Sequence, residues 1–210
     1  MLSEQTVLNI QKSVLTCIKE GVACVPQLFT QEEIARLRAE SLLSLLEKPQ
    51  VEVINGFPTI MYNPPSDYMQ KLSYDERIMT VARQHIKGEF SLETQQYYFH
   101  LPGDPDEFAW HTDERFRPGE EDKYIQTAIL VDDWTEENSA VEFCKGSHKK
   151  PFENGGDLRK FIRGERRGEK VLAKSGDLLI WSNMVVHGSE RNQANYPRAY
   201  YMLGYKQLGE

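Results

Sequence analysis

Cysteine is scarce in the 210 residues: Cys17, Cys24 and Cys144 are an odd number, lie far apart and form no CxxC pair. That excludes a disulfide framework or a zinc knuckle and fits reduced thiols in a cytoplasmic protein. Long hydrophobic runs are missing too. No stretch approaches the ~18 apolar residues that cross a bilayer, and the opening MLSEQTVLNIQKS is polar and periodic, unlike a signal peptide. No membrane partner is expected. Positive charge is in deficit: 25 Lys and Arg against 32 Asp and Glu leave a net charge of −7. Such a chain repels phosphate backbones, so nucleic acid is not expected as a partner either. There is no internal repeat and no dividing linker, and the length suits one domain over residues 1–210.

The residues present divide into two textures. Val7, Ile10, Val14 and Ile18 fall at helical spacing, and Gly21 can end that helix. VACVPQLF (22–29) reads as a short strand. Thr30-Gln31-Glu32-Glu33 is a capping box that opens a second helix through about Leu46, with Ile34, Leu37 and Leu45 on one face. A third helix is predicted near 75–87. After Pro49 the segments shorten and fill with β-branched and aromatic residues: VEVI, TIMY, TQQYYFH, YIQTAILVDD, AVEFC, KVLA, DLLIW and AYYMLGY. Many short strands after leading helices predict a mostly β fold, a sandwich or barrel packed on a helical layer. One segment is basic. DLRKFIRGERRGEK (157–170) carries Arg159, Lys160, Arg163, Arg166, Arg167 and Lys170 against three acids. It is either a solvated face or a flap over a pocket that favours an anionic substrate.

Five histidines are the candidates for chemistry. His85 lies in the third predicted helix and reads as a surface or capping residue. His100 marks a strand end before Leu-Pro-Gly, and His148 sits in the turn KGSHKK. His111 belongs to WHTDE (110–114), and His187 ends the apolar run of DLLIWSNMVVHGSERN. In a strand, positions i and i+2 share a face, so His111 and Asp113 can point the same way. A third ligand from a distant strand would give two imidazoles and one carboxylate. That set fills three positions of an octahedron and leaves three open, as in non-haem Fe(II) oxygenases. A structural zinc site would want four closed ligands. Arg198 follows His187 by eleven residues, across a turn-rich stretch, and can begin the next strand beside it. A guanidinium forks onto a carboxylate, and 2-oxoglutarate is a dicarboxylate able to chelate iron at one end while Arg198 holds the other.

On these residues the chain resembles the phytanoyl-CoA dioxygenase family of Fe(II)/2-oxoglutarate oxygenases, which also contains ectoine hydroxylase. EGVACVPQLFTQEEIARLR (20–38), WHTD (110–113), ILVDDWTEENSAVEFCKGSHK (129–149) and SGDLLIWSNMVVHGSERNQANYPRAYY (175–201) carry the resemblance, which covers most of the chain. It implies a double-stranded β-helix, a cupin-like jelly roll, with a helical and strand part over about 1–90 and the jelly-roll core over about 91–210. It implies iron held by His111, Asp113 and His187, and the distal carboxylate of 2-oxoglutarate held by Arg198 with help from Ser189. Gln126 and Gln95 match family positions near that co-substrate. The family's usual Asn-Gly after the acidic turn is replaced by Asn138-Ser139-Ala140, which implies a changed turn. The gap from Asp113 to His187 implies a compact member with trimmed loops.

The implied reaction hydroxylates an unactivated C–H of a small molecule with O₂ and 2-oxoglutarate, releasing succinate and CO₂. Related halogenases omit the ligand carboxylate, and Asp113 is present. Desaturation, epimerisation and cyclisation are the alternatives within the class. Outside it stand a non-catalytic protein of the same fold and a cupin-like zinc or nickel enzyme. Tyr97, Trp110, Arg115, Phe116, Trp181 and Asn183 are candidate substrate contacts, since they neighbour the metal motifs in sequence. Arg115 and the basic segment point to an anionic group on the substrate.

Overall fold

Ser3 opens the first helix, α1 (Glu4–Glu20), by accepting the Thr6 N–H on its Oγ. Gly21 ends it at φ +91°, a left-handed conformation that glycine adopts without strain. This is the computed structural model of the chain, and it describes residues 2–47, 50–54, 57–103, 107–114, 119–120, 122–150, 155–164 and 168–209. Ile10, Val14 and Cys17 form the buried stripe of α1, whereas Ile18, expected on that stripe, is exposed. Strand β1 (Val22–Val25) stops short of the expected Phe29. Pro26 cannot donate to a ladder, and Gln27 turns the chain at φ +48°.

Helix α2 (Gln31–Ser44) begins with the expected capping box. Thr30 Oγ1 accepts the Glu33 N–H and the Glu33 carboxylate accepts the Thr30 N–H. Next come β2 (Gln50–Ile54), β3 (Phe57–Tyr62), a short helix α3 (Asp67–Leu72) that the periodicity does not announce, and α4 (Glu76–His85). His85 faces inward and is buried, not at the surface as expected. Arg77, on α4, grips the Glu33 and Asp75 carboxylates and lies over the Phe29 ring, 4.1 Å from its centre. That clamp ties the start of α2 to α4.

The remaining elements are β4 (Phe90–His100), β5 (Phe108–His111), β6 (Tyr124–Leu130), β7 (Glu142–Phe143), α5 (Gly155–Gly164), β8 (Glu169–Lys170), β9 (Leu178–Trp181), β10 (His187–Ser189) and β11 (Arg198–Gln207). They form two antiparallel sheets, ordered β1-β9-β6-β11-β4-β3-β2 and β5-β10-β7-β8. The molecule therefore has three layers: helices, the seven-stranded sheet and the four-stranded sheet. This is the jelly-roll double-stranded β-helix with flanking helices.

Strand alternation decides what faces where. Tyr97, Phe99, Ile125, Ile129, Ile180, Tyr201 and Leu203 pack outward with Ile10, Val14, Ile34, Leu37 and Ile78 of the helices. Tyr98, Ala128, Leu130, Leu179, Trp181, Tyr200 and Met202 point inward, toward Val141 and Phe143 of the small sheet. The chamber between the sheets is where chemistry can occur. No helix among the described residues is long and apolar enough to cross a membrane.

Candidate metal centre

His111 ends β5 and His187 begins β10, and the two residues are direct partners in the antiparallel ladder of the small sheet. Pairing brings their rings to 4.4 Å between centroids. Asp113 follows two residues after His111, beyond the strand end. Its Oδ1 lies 3.5 Å from His111 Nε2 and 3.7 Å from His187 Nε2. One donor atom from each of the three lies within 4.8 Å of the others. Those separations let a single ion sit about 2.0–2.2 Å from every donor.

The imidazoles are held for that purpose. His111 Nδ1 faces the Ala109 carbonyl at 2.6 Å, and His187 Nδ1 faces the Val185 carbonyl at 3.0 Å. A ring donating from Nδ1 carries its lone pair on Nε2, the atom turned toward Asp113. Phe143 stacks on His187 at 5.3 Å and 14°. Burial favours the neutral form of both rings. It carries His187 below its ordinary value, with Asp113 pulling the other way. At His111 the same burial opposes Asp113, whose hydrogen bond and charge prevail and raise the ring. Burial also opposes the charge on Asp113, yet His187, His111 and the Trp181 N–H together hold its carboxyl below the ordinary range. Two imidazoles and a carboxylate, and no thiolate, are a donor set suited to a hard-to-borderline divalent ion with open positions.

The cluster opens into a small pocket of about 40 Å³ walled by Tyr98, Trp134, Val141, Phe143, Tyr200 and Met202. Arg198, 1% exposed, lies on β11 two residues before Tyr200 of that wall. Its Nη2 donates to Ser189 Oγ at 2.9 Å and its Nη1 to the Asn138 carbonyl at 3.2 Å. Arg198, Tyr200 and Met202 alternate along one face of β11, so the guanidinium points into the same chamber as the pocket wall. His100, opposite Arg198 in the ladder, is held well below its ordinary value by burial and by that guanidinium. Arg198 is thus the cation of this corner. The turn that supplies the Asn138 carbonyl keeps Ser139 at φ +56°, so serine takes a left-handed position that glycine would fill more easily.

The other candidates are distributed unevenly. Gln126 is buried on the inner face of β6 beside Trp181, its ladder partner. Gly204 opposite it is a forced choice, since a Cβ there would lie 2.5 Å from Gln126 Oε1. Trp181 lines the pocket and donates its indole N–H to Asp113 Oδ2 at 3.0 Å. Asn183 lies in an adjoining cavity with Glu114, Tyr124 and Lys206. Gln95 and Tyr97 must be corrected. Both point outward to the helical layer, where Gln95 Nε2 donates to Ser73 and Tyr201 and Tyr97 packs in the outer core. A period of two sends odd positions of β4 away from the chamber, so Gln96 and Tyr98 occupy the facing positions.

Trp110 also faces away, packing with Phe161 and Val186 under α5. The helical part of the basic segment therefore covers the back of the small sheet, not the pocket. Lys170 pairs with Glu136 at 2.9 Å. Arg115, Phe116, Arg166 and Arg167 lie outside the described residues. Tyr200, Met202, Phe143 and Trp134 were missed by sequence reasoning. The first two could have been found as the i+2 and i+4 neighbours of Arg198 on a strand.

The family profile described as Phytanoyl-CoA dioxygenase (PhyH) matches residues 18–200. A curated relative from Stutzerimonas stutzeri, named probable alpha-ketoglutarate-dependent hypophosphite dioxygenase, is 25% identical over 217 residues, covering 90% of this chain and 75% of its own. Among solved structures, EvdMO1 superposes with a TM-score of 0.80 at 19% identity, over 96% of this chain and 50% of EvdMO1. The chain thus spans half the length of that protein. The non-heme alpha ketoglutarate dependent epimerase SnoN from nogalamycin biosynthesis superposes with a TM-score of 0.76 at 19% identity, over 95% of this chain and 81% of SnoN.

Proposed function

The chain belongs to the phytanoyl-CoA dioxygenase family of iron- and 2-oxoglutarate-dependent oxygenases, and from that premise we propose that it hydroxylates an unactivated C–H bond of a small molecule. One observation carries the reading. The His111, Asp113 and His187 donors converge within 4.8 Å, and a buried, singly placed guanidinium at Arg198 shares their chamber. His111 and His187 offer Nε2, Asp113 offers Oδ1, and the three would hold the iron. Arg198 and Ser189 would receive the distal carboxylate of 2-oxoglutarate, and Gln126 would contribute a polar contact from the neighbouring strand. The iron supplies the oxidising chemistry when bound with O₂ and the co-substrate. The aromatic wall keeps water out of the reaction. Substrate C–H, O₂ and 2-oxoglutarate become substrate C–OH, succinate and CO₂. Residues 1–210 act as one domain in this scheme.

The substrate is a small molecule, in line with a narrow pocket walled largely by aromatic side chains. An anionic group finds less support, because the cavity next to the metal motif mixes Lys123 and Lys206 with Glu114 and Glu120. Epimerisation, desaturation and ring closure draw on the same oxidant. Product mass separates hydroxylation, which adds one oxygen, from epimerisation, which changes nothing, and from desaturation and ring closure, which both remove two hydrogens and are told apart by NMR of the product.

The test is a screen for succinate release across small-molecule libraries, with anaerobically reconstituted Fe(II) protein. Turnover should require 2-oxoglutarate and O₂ and should vanish in His111→Ala, Asp113→Ala and His187→Ala. Persistence of turnover in any of these folded variants overturns the assignment of the ligands. Binding of zinc or nickel with no affinity for 2-oxoglutarate would favour a cupin-like enzyme of another kind.

A further inference from the structure

Asp113 presents two oxygens to its surroundings, and they are treated differently. Oδ1 faces both imidazoles, while Oδ2 accepts the Trp181 indole N–H at 3.0 Å. We propose that Trp181 is a positioning residue that holds Asp113 as a one-oxygen ligand and keeps its second oxygen off the metal. The proposal rests on the metal reading above and deepens it.

The physical need is one of counting. A carboxylate can bind through one oxygen or two. Two-oxygen binding would leave two of six octahedral positions, too few for a chelating co-substrate and O₂ together. Something must therefore occupy Oδ2. Asp113 sits beyond the end of β5 and has no ladder of its own to fix its rotation. Trp181 has what Asp113 lacks. It lies on β9, an interior strand of the large sheet, paired to Val22 on one side and Gln126 on the other. The residue is 4% exposed, and its ring packs edge-on against His187 at 6.1 Å and tilted against Phe143 at 6.0 Å. The donor is thus rigid, dry and supplied by the opposite sheet. Its partner oxygen belongs to a side chain that is still 20% exposed, so a fixed protein donor is what replaces a mobile water there.

Trp181→Phe keeps an aromatic ring and removes only the N–H. Cobalt(II) and manganese(II) serve as probes, each titrated calorimetrically into apo protein with and without 2-oxoglutarate. The variant should bind both metals about 10–100-fold more weakly. It should also show altered cobalt(II) absorption, as Oδ2 enters the coordination sphere, and a weaker response to 2-oxoglutarate. A folded variant with wild-type affinity and an unchanged cobalt(II) spectrum overturns the proposal while leaving the metal site intact. If the variant does not fold, nitrogen-15 NMR of the wild-type indole decides. The Trp181 N–H should exchange slowly with solvent and shift on zinc(II) addition. Fast exchange with no shift overturns the proposal. Wild-type protein that binds neither cobalt(II) nor manganese(II) removes the metal reading and this proposal with it.

Discussion

At the scale of single residues, the site is a matter of donors and charges that cannot be exchanged. Arg198 is fully enclosed, and it donates to Ser189 Oγ and the Asn138 carbonyl from a strand whose alternation turns it toward the chamber. A charge-assisted hydrogen bond is worth about 1.5–3 kcal/mol. Arg198→Ala is therefore expected to raise the dissociation constant of 2-oxoglutarate roughly 10–100-fold, with metal affinity nearly unchanged, as measured by calorimetry on the manganese(II) form. An unaltered 2-oxoglutarate affinity would remove Arg198 from the co-substrate site. His111, Asp113, His187 and Arg198 were legible because their chemistry is fixed by residue type and their order by spacing. Asn138 and His100, which surround Arg198, were not. They arrive from a turn and a strand far away in sequence, and nothing local marks them.

At the scale of elements, legibility depended on whether one face of an element met water. α1 and α2 have a wet side, and their caps at Ser3, Gly21, Thr30 and Glu33 announce them. β6 is buried at all seven positions because helices cover one face of its sheet and the small sheet covers the other. Such a strand shows no polar alternation to read. On β4, Gln95 and Tyr97 were assigned to the chamber from a family position and from nearness to the metal motif in sequence, and neither fixes the register that turns them outward. Caps and clamps also set testable stabilities. At Gly21 a Cβ would lie 2.6 Å from His148 Nδ1 and 2.9 Å from Val185 Cγ2, at a φ of +91°. Gly21→Ala should cost about 2 kcal/mol or more, visible in urea unfolding.

Glu33 gives a pH-dependent counterpart. Its hydrogen bond from Arg77 is the main reason its carboxyl titrates below the ordinary 4.5, with burial opposing and the Thr30 N–H assisting. A depressed folded value means stability that is full above 4.5 and is lost as pH falls through the lower, folded value. Because Glu33 is partly exposed, solvent screening reduces the pair to about 1 kcal/mol. Glu33→Gln should therefore melt lower than wild type at neutral pH, and the gap should close in acid. A gap independent of pH would place the effect in the cap's shape and not in its charge.

At the scale of the whole molecule, the ligands sit where two sheets and several chain-distant segments meet. His111 and His187 come from the edge pairing of β5 and β10, while Asp113 is tied through Trp181 to an interior strand of the large sheet. The strand order β1-β9-β6-β11-β4-β3-β2 brings residues 22, 181, 126, 204 and 94 side by side, and no local pattern encodes such an order. The resemblance supplied the jelly roll; elementary periodicity supplied only strands and helices. An ion at this junction binds the folded chain and has no comparable site in the unfolded one, so it must stabilise the fold by mass action. At a hundredfold excess over the dissociation constant the gain is about 2.7 kcal/mol, which for a chain of this size raises the melting temperature by roughly 5–10 °C. Manganese(II) should produce that rise in wild-type protein under anaerobic conditions, 2-oxoglutarate should add to it, and His187→Ala should abolish both. The increment from 2-oxoglutarate should also disappear in Arg198→Ala while the manganese(II) shift survives. An equal rise in His187→Ala would mean that the metal binds elsewhere on the acidic surface, and that the convergence of three donors between the sheets is not what holds it.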